Sequence, residues 1–142
     1  MQLFSHDTKA DALARAPLFR GLTRQELLQL ARVTEDMEVE AGRTLTREGE
    51  LGSEFFVIVD GDVSVTKDGE EVRTLSAGDF FGEIALLEDA RRTATVTATT
   101  PLRFFVLTRQ GFRSLVVHQP EIDEKVRAAA AERAGVTDDP TH

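Results

Sequence analysis

From Met37 onward, glycines punctuate the chain at short intervals: Gly42, Gly49, Gly52, Gly61, Gly69, Gly78 and Gly82. The runs between them are too short for stable helices, and several are apolar or alternate in polarity. Phe55-Phe56-Val57-Ile58-Val59 is the most apolar and predicts a buried strand. Asp62 to Thr66 alternates, with Val63 and Val65 on one face. Lys67-Asp68-Gly69-Glu70 carries an Asp-Gly hairpin turn. Thr93 to Thr99 alternates through Ala94, Val96 and Ala98, and Leu102 to Leu107 is a further apolar strand. Many short strands with regular glycine turns predict an antiparallel sheet closed as a β-roll or jelly roll.

Both flanks of this region read as helical. Ala10 to Ala16 is rich in Ala and Leu, and Pro17 then breaks the run into a tight turn through Leu22. Thr23 with Glu26 forms a capping box ahead of Leu27, Leu28, Leu30 and Ala31. After Thr108, Phe112, Leu115 and Val116 recur at helical spacing. Pro120 suits the first turn of a last helix, with Ile122, Val126 and Ala129 or Ala130 on one face and Gly135 placed to stop it. The expected organisation is one domain: a helical segment over 1–36, a β-roll over 37–108, two helices over 109–135 and a frayed tail over 136–142. The fold class is mainly β with flanking helices.

At 142 residues the chain is long enough to bury a real core. The formal net charge of −8 opposes non-specific nucleic-acid binding. There is no cysteine, so no disulfide framework, thiolate metal site or cysteine nucleophile is expected. The three histidines, His6, His118 and His142, lie outside the roll, which argues against a histidine-rich metal cage. No run approaches the ~18–20 apolar residues of a membrane span, and Met1 to Lys9 lacks the order of a signal peptide. The default expectation is a soluble cytoplasmic protein with no membrane partner.

One stretch interrupts the strand texture. In Phe81-Gly82-Glu83-Ile84-Ala85-Leu86-Leu87, Glu83 to Leu87 is about one helical turn between two strands. Gly82 before it lets another molecule approach the backbone. The N–H groups at a short helix start suit an anion, and Arg92 can add a guanidinium fork to the same anion. Glu83 repels phosphate but suits a neutral hydroxyl beside it. An anion, an adjacent hydroxyl and an apolar wall describe a sugar phosphate carrying a base. Arg91 is expected to be a surface charge, His118 a hinge or helix-end residue, and the Phe55-Phe56 and Phe80-Phe81 pairs core.

This stretch resembles the phosphate-binding cassette of cyclic-nucleotide-binding domains, roughly Phe-Gly-Glu-(Leu/Ile)-Ala-Leu, a short loop, then Arg-(Ala/Ser/Thr)-Ala-(Thr/Ser)-Val. The chain supplies Phe81 to Leu86 and Arg92-Thr93-Ala94-Thr95-Val96, and the cassette spans 80–95. The pattern is most similar to the domains of bacterial cyclic-nucleotide-gated potassium channels, and the flanking helices resemble the family's N-terminal motif, hinge and lid. The resemblance implies roles. Gly82 lines the cyclic phosphate, Ile84 and Ala85 offer it backbone N–H groups, and Arg92 pairs with it. Glu83 accepts from the ribose 2′-hydroxyl. Thr93 can reach the phosphate or a guanine amino group, Val65 and Val72 flank the base, and Arg133 on the last helix stacks over it. Helical spacing puts Val126 and Ala130 on one side, at i and i+4, as an expected apolar floor to that cap.

The function so implied is a sensor, not an enzyme, with no catalytic residues, metal or cofactor. Its ligand is cyclic AMP, with cyclic GMP left open by Thr93. Closure of the last helix would signal to an unidentified effector protein in trans, unless the chain is one domain of a larger protein. The alternatives are a cupin-type metalloenzyme, which would need converging His and carboxylate ligands, a transcription factor, for which seven residues after Gly135 hold no helix-turn-helix, and a partner-binding roll without a ligand.

Overall fold

A computed structural model describes residues 6–134. Helix α1 (His6–Leu13) leads to a 3-10 turn at Pro17–Phe19 and helix α2 (Arg24–Arg32). The expected capping box is present: the Glu26 N–H donates to Thr23 Oγ1 (3.1 Å) and the Thr23 N–H to Glu26 Oε1 (2.9 Å). Ten strands follow: β1 (Glu35–Val39), β2 (Thr44–Thr46), β3 (Leu51–Gly52), β4 (Glu54–Asp60), β5 (Val63–Lys67), β6 (Glu70–Leu75), β7 (Phe80–Phe81), β8 (Ala90–Arg91), β9 (Thr95–Ala98) and β10 (Leu102–Thr108). A 3-10 turn at Glu83–Leu86 separates β7 from β8. Helices α3 (Arg109–His118) and α4 (Pro120–Ala134) close the described chain. The strand region begins at Glu35, ahead of the glycine pattern, because Glu35 and Asp36 pair with Val106 and Phe105.

All strand pairs are antiparallel, in two four-stranded sheets ordered β1-β10-β4-β7 and β2-β9-β5-β6 and a short β3-β8 ladder. The β5–β6 hairpin turns at Asp68 (φ +52°) and Gly69 (φ +83°), the two left-handed residues of a type I′ turn.

Strands β4 and β10 bury both faces. Phe55, Val57, Phe105 and Leu107 face a core built with Leu13, Leu18, Phe19, Leu30, Phe112, Ile122 and Val126 from the helices. Phe56, Ile58, Phe104 and Val106 face the roll interior, opposite Val63, Val65, Val96 and Ala98. The apolar run at Phe55–Val59 is therefore continuous because each residue has a core to enter, whichever way it points. Helix α4 lies on the Pro17–Phe19 turn, and Lys125 Nζ reaches Glu26 Oε1 at 2.8 Å. The Lys125 ammonium and the Thr23 N–H hold the Glu26 carboxyl below the usual carboxylate range. No helix among the described residues is long and apolar enough to cross a membrane.

Candidate functional site

The site is assembled where β3, the start of β4 and the segment 80–95 meet. Leu51 and Gly52 pair with Arg91 and Ala90, and the Arg92 N–H donates to Glu50 O (2.8 Å). This ladder delivers the Arg92 side chain into a slot between two glycines. A Cβ on Gly52 would overlap the Arg92 guanidinium. A Cβ on Gly82 would lie 2.6 Å from Arg92 Nη1 and 2.7 Å from Glu54 O, and Gly82 also has φ +84°. A side chain at Gly52 would displace the guanidinium, and one at Gly82 would also meet backbone in a left-handed conformation.

Arg92 is almost fully enclosed, its side chain 9% exposed. Nη2 donates to the Glu54 backbone O (2.9 Å) and lies 3.4 Å from the Glu54 carboxylate. Its guanidinium carbon sits 5.8 Å from the Phe56 ring centroid, in cation–π range. Burial pulls the Arg92 pKa below the usual arginine range, the Glu54 carboxylate opposes that shift, and the nearby Arg109 guanidinium adds to it. Arginine remains charged under any such shift. Arg91 behaves differently: it is exposed and its Nη1 donates to Gly49 O (2.8 Å).

Glu83 opens the 3-10 turn and is buried, at 7% exposure, with an interaction inside the fold. Ile84 is exposed and Ala85 buried. The Ala85 N–H donates to Gly82 O at 3.2 Å, so in this conformation it is committed within the turn. Thr93 is exposed, next to Arg92, and has an interaction within the protein.

Residues 36–119 match the family model described as the cyclic nucleotide-binding domain. The chain belongs to the cyclic nucleotide-binding domain family. It is similar to a cyclic nucleotide-gated potassium channel of Rhizobium etli, 39% identical over 123 residues, covering 87% of this chain and 34% of the channel. It is also 39% identical over 122 residues to a cAMP-dependent protein kinase regulatory subunit of Eremothecium gossypii, covering 83% of this chain and 27% of that subunit. The chain thus spans a minor part of either relative. The solved regulatory domain of Toxoplasma gondii PKA with cAMP superposes with a TM-score of 0.70 at 32% identity, covering 78% of this chain and 44% of that one. Cyclic nucleotide-binding domains are regulatory modules, and the antiparallel roll with flanking helices is their fold.

The structure sets Gly82 against Arg92, with Glu83, Ile84 and Ala85 following Gly82 in the turn and Thr93 following Arg92. Val65 is fully buried in the roll interior. Val72 departs from expectation. Val65 pairs with Arg73 and Thr66 with Glu71, so Val72 is the extra residue of a β-bulge and is 52% exposed. Arg73 shares the face of Val65 instead, since cross-strand partners point the same way. Val126 is a correction as well: it is fully buried in the helical core, with Ala130 packed against that core, so in this conformation neither floors a cap over the site. Arg133 belongs to α4, but its side chain lies outside the described residues, as do Gly135 and the tail expected over 136–142.

Sequence reasoning missed four residues that surround the candidate site. Gly52, Glu54 and Phe56 hold Arg92. Arg109, the first residue of α3, ties that helix to the cassette: Nε donates to Ala85 O (2.6 Å), Nη2 to Gly52 O (3.0 Å) and Glu88 O (3.2 Å), and Nη1 pairs with Asp89. A signal for Arg109 existed. A cation at a helix N-terminus opposes the helix dipole, so something else must favour it there. Among the described residues, no group of three or more His, Cys, Asp or Glu is placed to hold a metal ion.

Proposed function

We propose that this domain is a cyclic AMP sensor. The cyclic phosphate would lie on the Gly82–Ala85 turn against Arg92, with Glu83 accepting from the ribose 2′-hydroxyl and Val65 in the apolar wall toward the base. The observation that carries this reading is the enclosed Arg92 guanidinium, set between Gly52 and Gly82 near a buried Glu83. A fork so placed suits a phosphate that approaches backbone closely. Cyclic AMP is favoured by the solved relative that holds it and by the cAMP-dependent subunit. Thr93 keeps cyclic GMP as the competing ligand, since its hydroxyl can serve a guanine amino group.

The output would run through Arg109. A ligand that draws the Glu83–Leu86 turn toward itself moves Ala85 O, to which Arg109 donates, and hence the start of α3. Helix α4 follows α3 and would change its seat on the Pro17–Phe19 turn, presenting a new surface to an effector in trans. The ligand shifts this equilibrium only by its differential affinity for the two arrangements.

Calorimetric titration with cyclic AMP and cyclic GMP tests the assignment. Cyclic AMP should bind more tightly, and absence of binding by both would refute the site. Replacing Glu83 by Gln should weaken cyclic AMP by about 1.5–3 kcal/mol, since a charge-assisted hydrogen bond becomes neutral. The 2′-deoxy analogue lacks the hydroxyl and should lose less. An equal loss for both ligands would assign Glu83 a structural role.

A further inference from the structure

We propose that the Glu54 carboxylate sets the affinity of this site by opposing the anion that Arg92 attracts, an inference that rests on the cyclic-nucleotide reading above. Arg92 is held without that carboxylate. The Glu54 backbone O accepts from Nη2 at 2.9 Å, Gly52 and Gly82 wall the guanidinium, and Phe56 lies against it. The carboxylate contact is longer, at 3.4 Å, and comes from a side chain 44% exposed. An ion pair that long, on a half-solvated side chain, adds little to placement.

What the carboxylate does contribute is charge. A cyclic phosphate carries one negative charge and must share a guanidinium already faced by Glu54. Its attraction to Arg92 is offset by repulsion from Glu54, in a pocket where the guanidinium is largely desolvated. On the other side, the nearby Arg109 is itself paired with Asp89, so its charge is also partly matched. A neutral residue at position 54 therefore leaves Arg92 in place and the site more positive. The effect acts on the phosphate, common to all cyclic nucleotides, and is indifferent to the base.

The test is calorimetric titration of the full chain and its Glu54→Gln and Glu54→Ala variants with cyclic AMP and cyclic GMP. Titrations at about 0.1 M and about 1 M salt shrink the screening length from about 10 Å to about 3 Å. Both variants should bind both nucleotides about three- to tenfold more tightly at the lower salt, and the gain should fall below about twofold at the higher. Wild-type binding with unchanged or weakened binding in the variants would overturn the proposal and make Glu54 inert or a positioning residue for Arg92. A gain for one nucleotide alone would overturn it too, because the base rather than the phosphate would then be sensed. If the wild-type chain binds neither nucleotide, the reading of the site fails and takes the proposal with it. Melting curves check that the variants fold, and a half-exposed side chain makes that the expected result.

Discussion

Arg92→Ala should abolish most cyclic nucleotide affinity while leaving the fold in place. Truncating a charged partner in a desolvated pocket costs about 2–5 kcal/mol, a loss of about thirty-fold to a few thousand-fold. The magnitude belongs in the upper part of that range because the guanidinium is enclosed rather than solvated. Stability should change little. The side chain lies in a slot between Gly52 and Gly82 rather than in either apolar core, and its loss leaves the Glu54 backbone O one donor short. Arg92→Lys should recover only part of the affinity, since an ammonium offers no planar fork. Titration with thermal melting separates the two effects, and a loss of less than about threefold in Arg92→Ala would remove Arg92 from the site.

Arg109→Ala should behave in the opposite sense, with stability and binding falling together. The side chain is 15% exposed and donates to the backbone oxygens of Ala85, Gly52 and Glu88, from the 3-10 turn, from β3 and from the cassette loop. Removing it strands partly buried acceptors, at about 1–3 kcal/mol for each that water cannot reach. A destabilisation of about 2–4 kcal/mol is expected in urea titration, with weaker nucleotide binding because the turn carrying Glu83 to Leu86 is no longer held. Arg109→Lys should rescue little, because one ammonium cannot reach acceptors spread over three segments. A variant as stable as wild type would mean that α3 is fixed by Phe112 and the Thr108 cap alone.

What the sequence disclosed about this site follows from how local each signal is. Gly82, Glu83 and Arg92 sit within eleven positions of one another, in a stretch whose polarity fits neither strand nor long helix. Their partners Gly52 and Glu54 lie some thirty to forty positions upstream, and no periodicity relates the two segments until the β3–β8 ladder joins them. Val72 was carried over from the family pattern, and no local signal marks the bulge after Val65 that leaves it half exposed beside Arg73. The stripe of Ile122, Val126 and Ala130 correctly marked the buried face of α4, yet a stripe does not say what covers it. The cover is the Pro17–Phe19 turn and its neighbours, not the nucleotide site. The roll was legible over β4, β5, β9 and β10, where turns bound apolar or alternating runs, whereas the two- and three-residue strands β2, β3, β7 and β8 are too short to carry a pattern.

The shared helical core has a consequence for synthesis. Leu18 and Phe19 leave a ribosome about a hundred residues ahead of Ile122 and Val126, which complete their enclosure. At about 5–20 residues per second, the two groups are separated by roughly 5–20 s. Strand β1 waits roughly two-thirds as long for β10, its pairing partner among the described residues. During that interval Leu18 and Phe19 lack the helix that covers them, and the yield in a cell depends on how well they are shielded meanwhile.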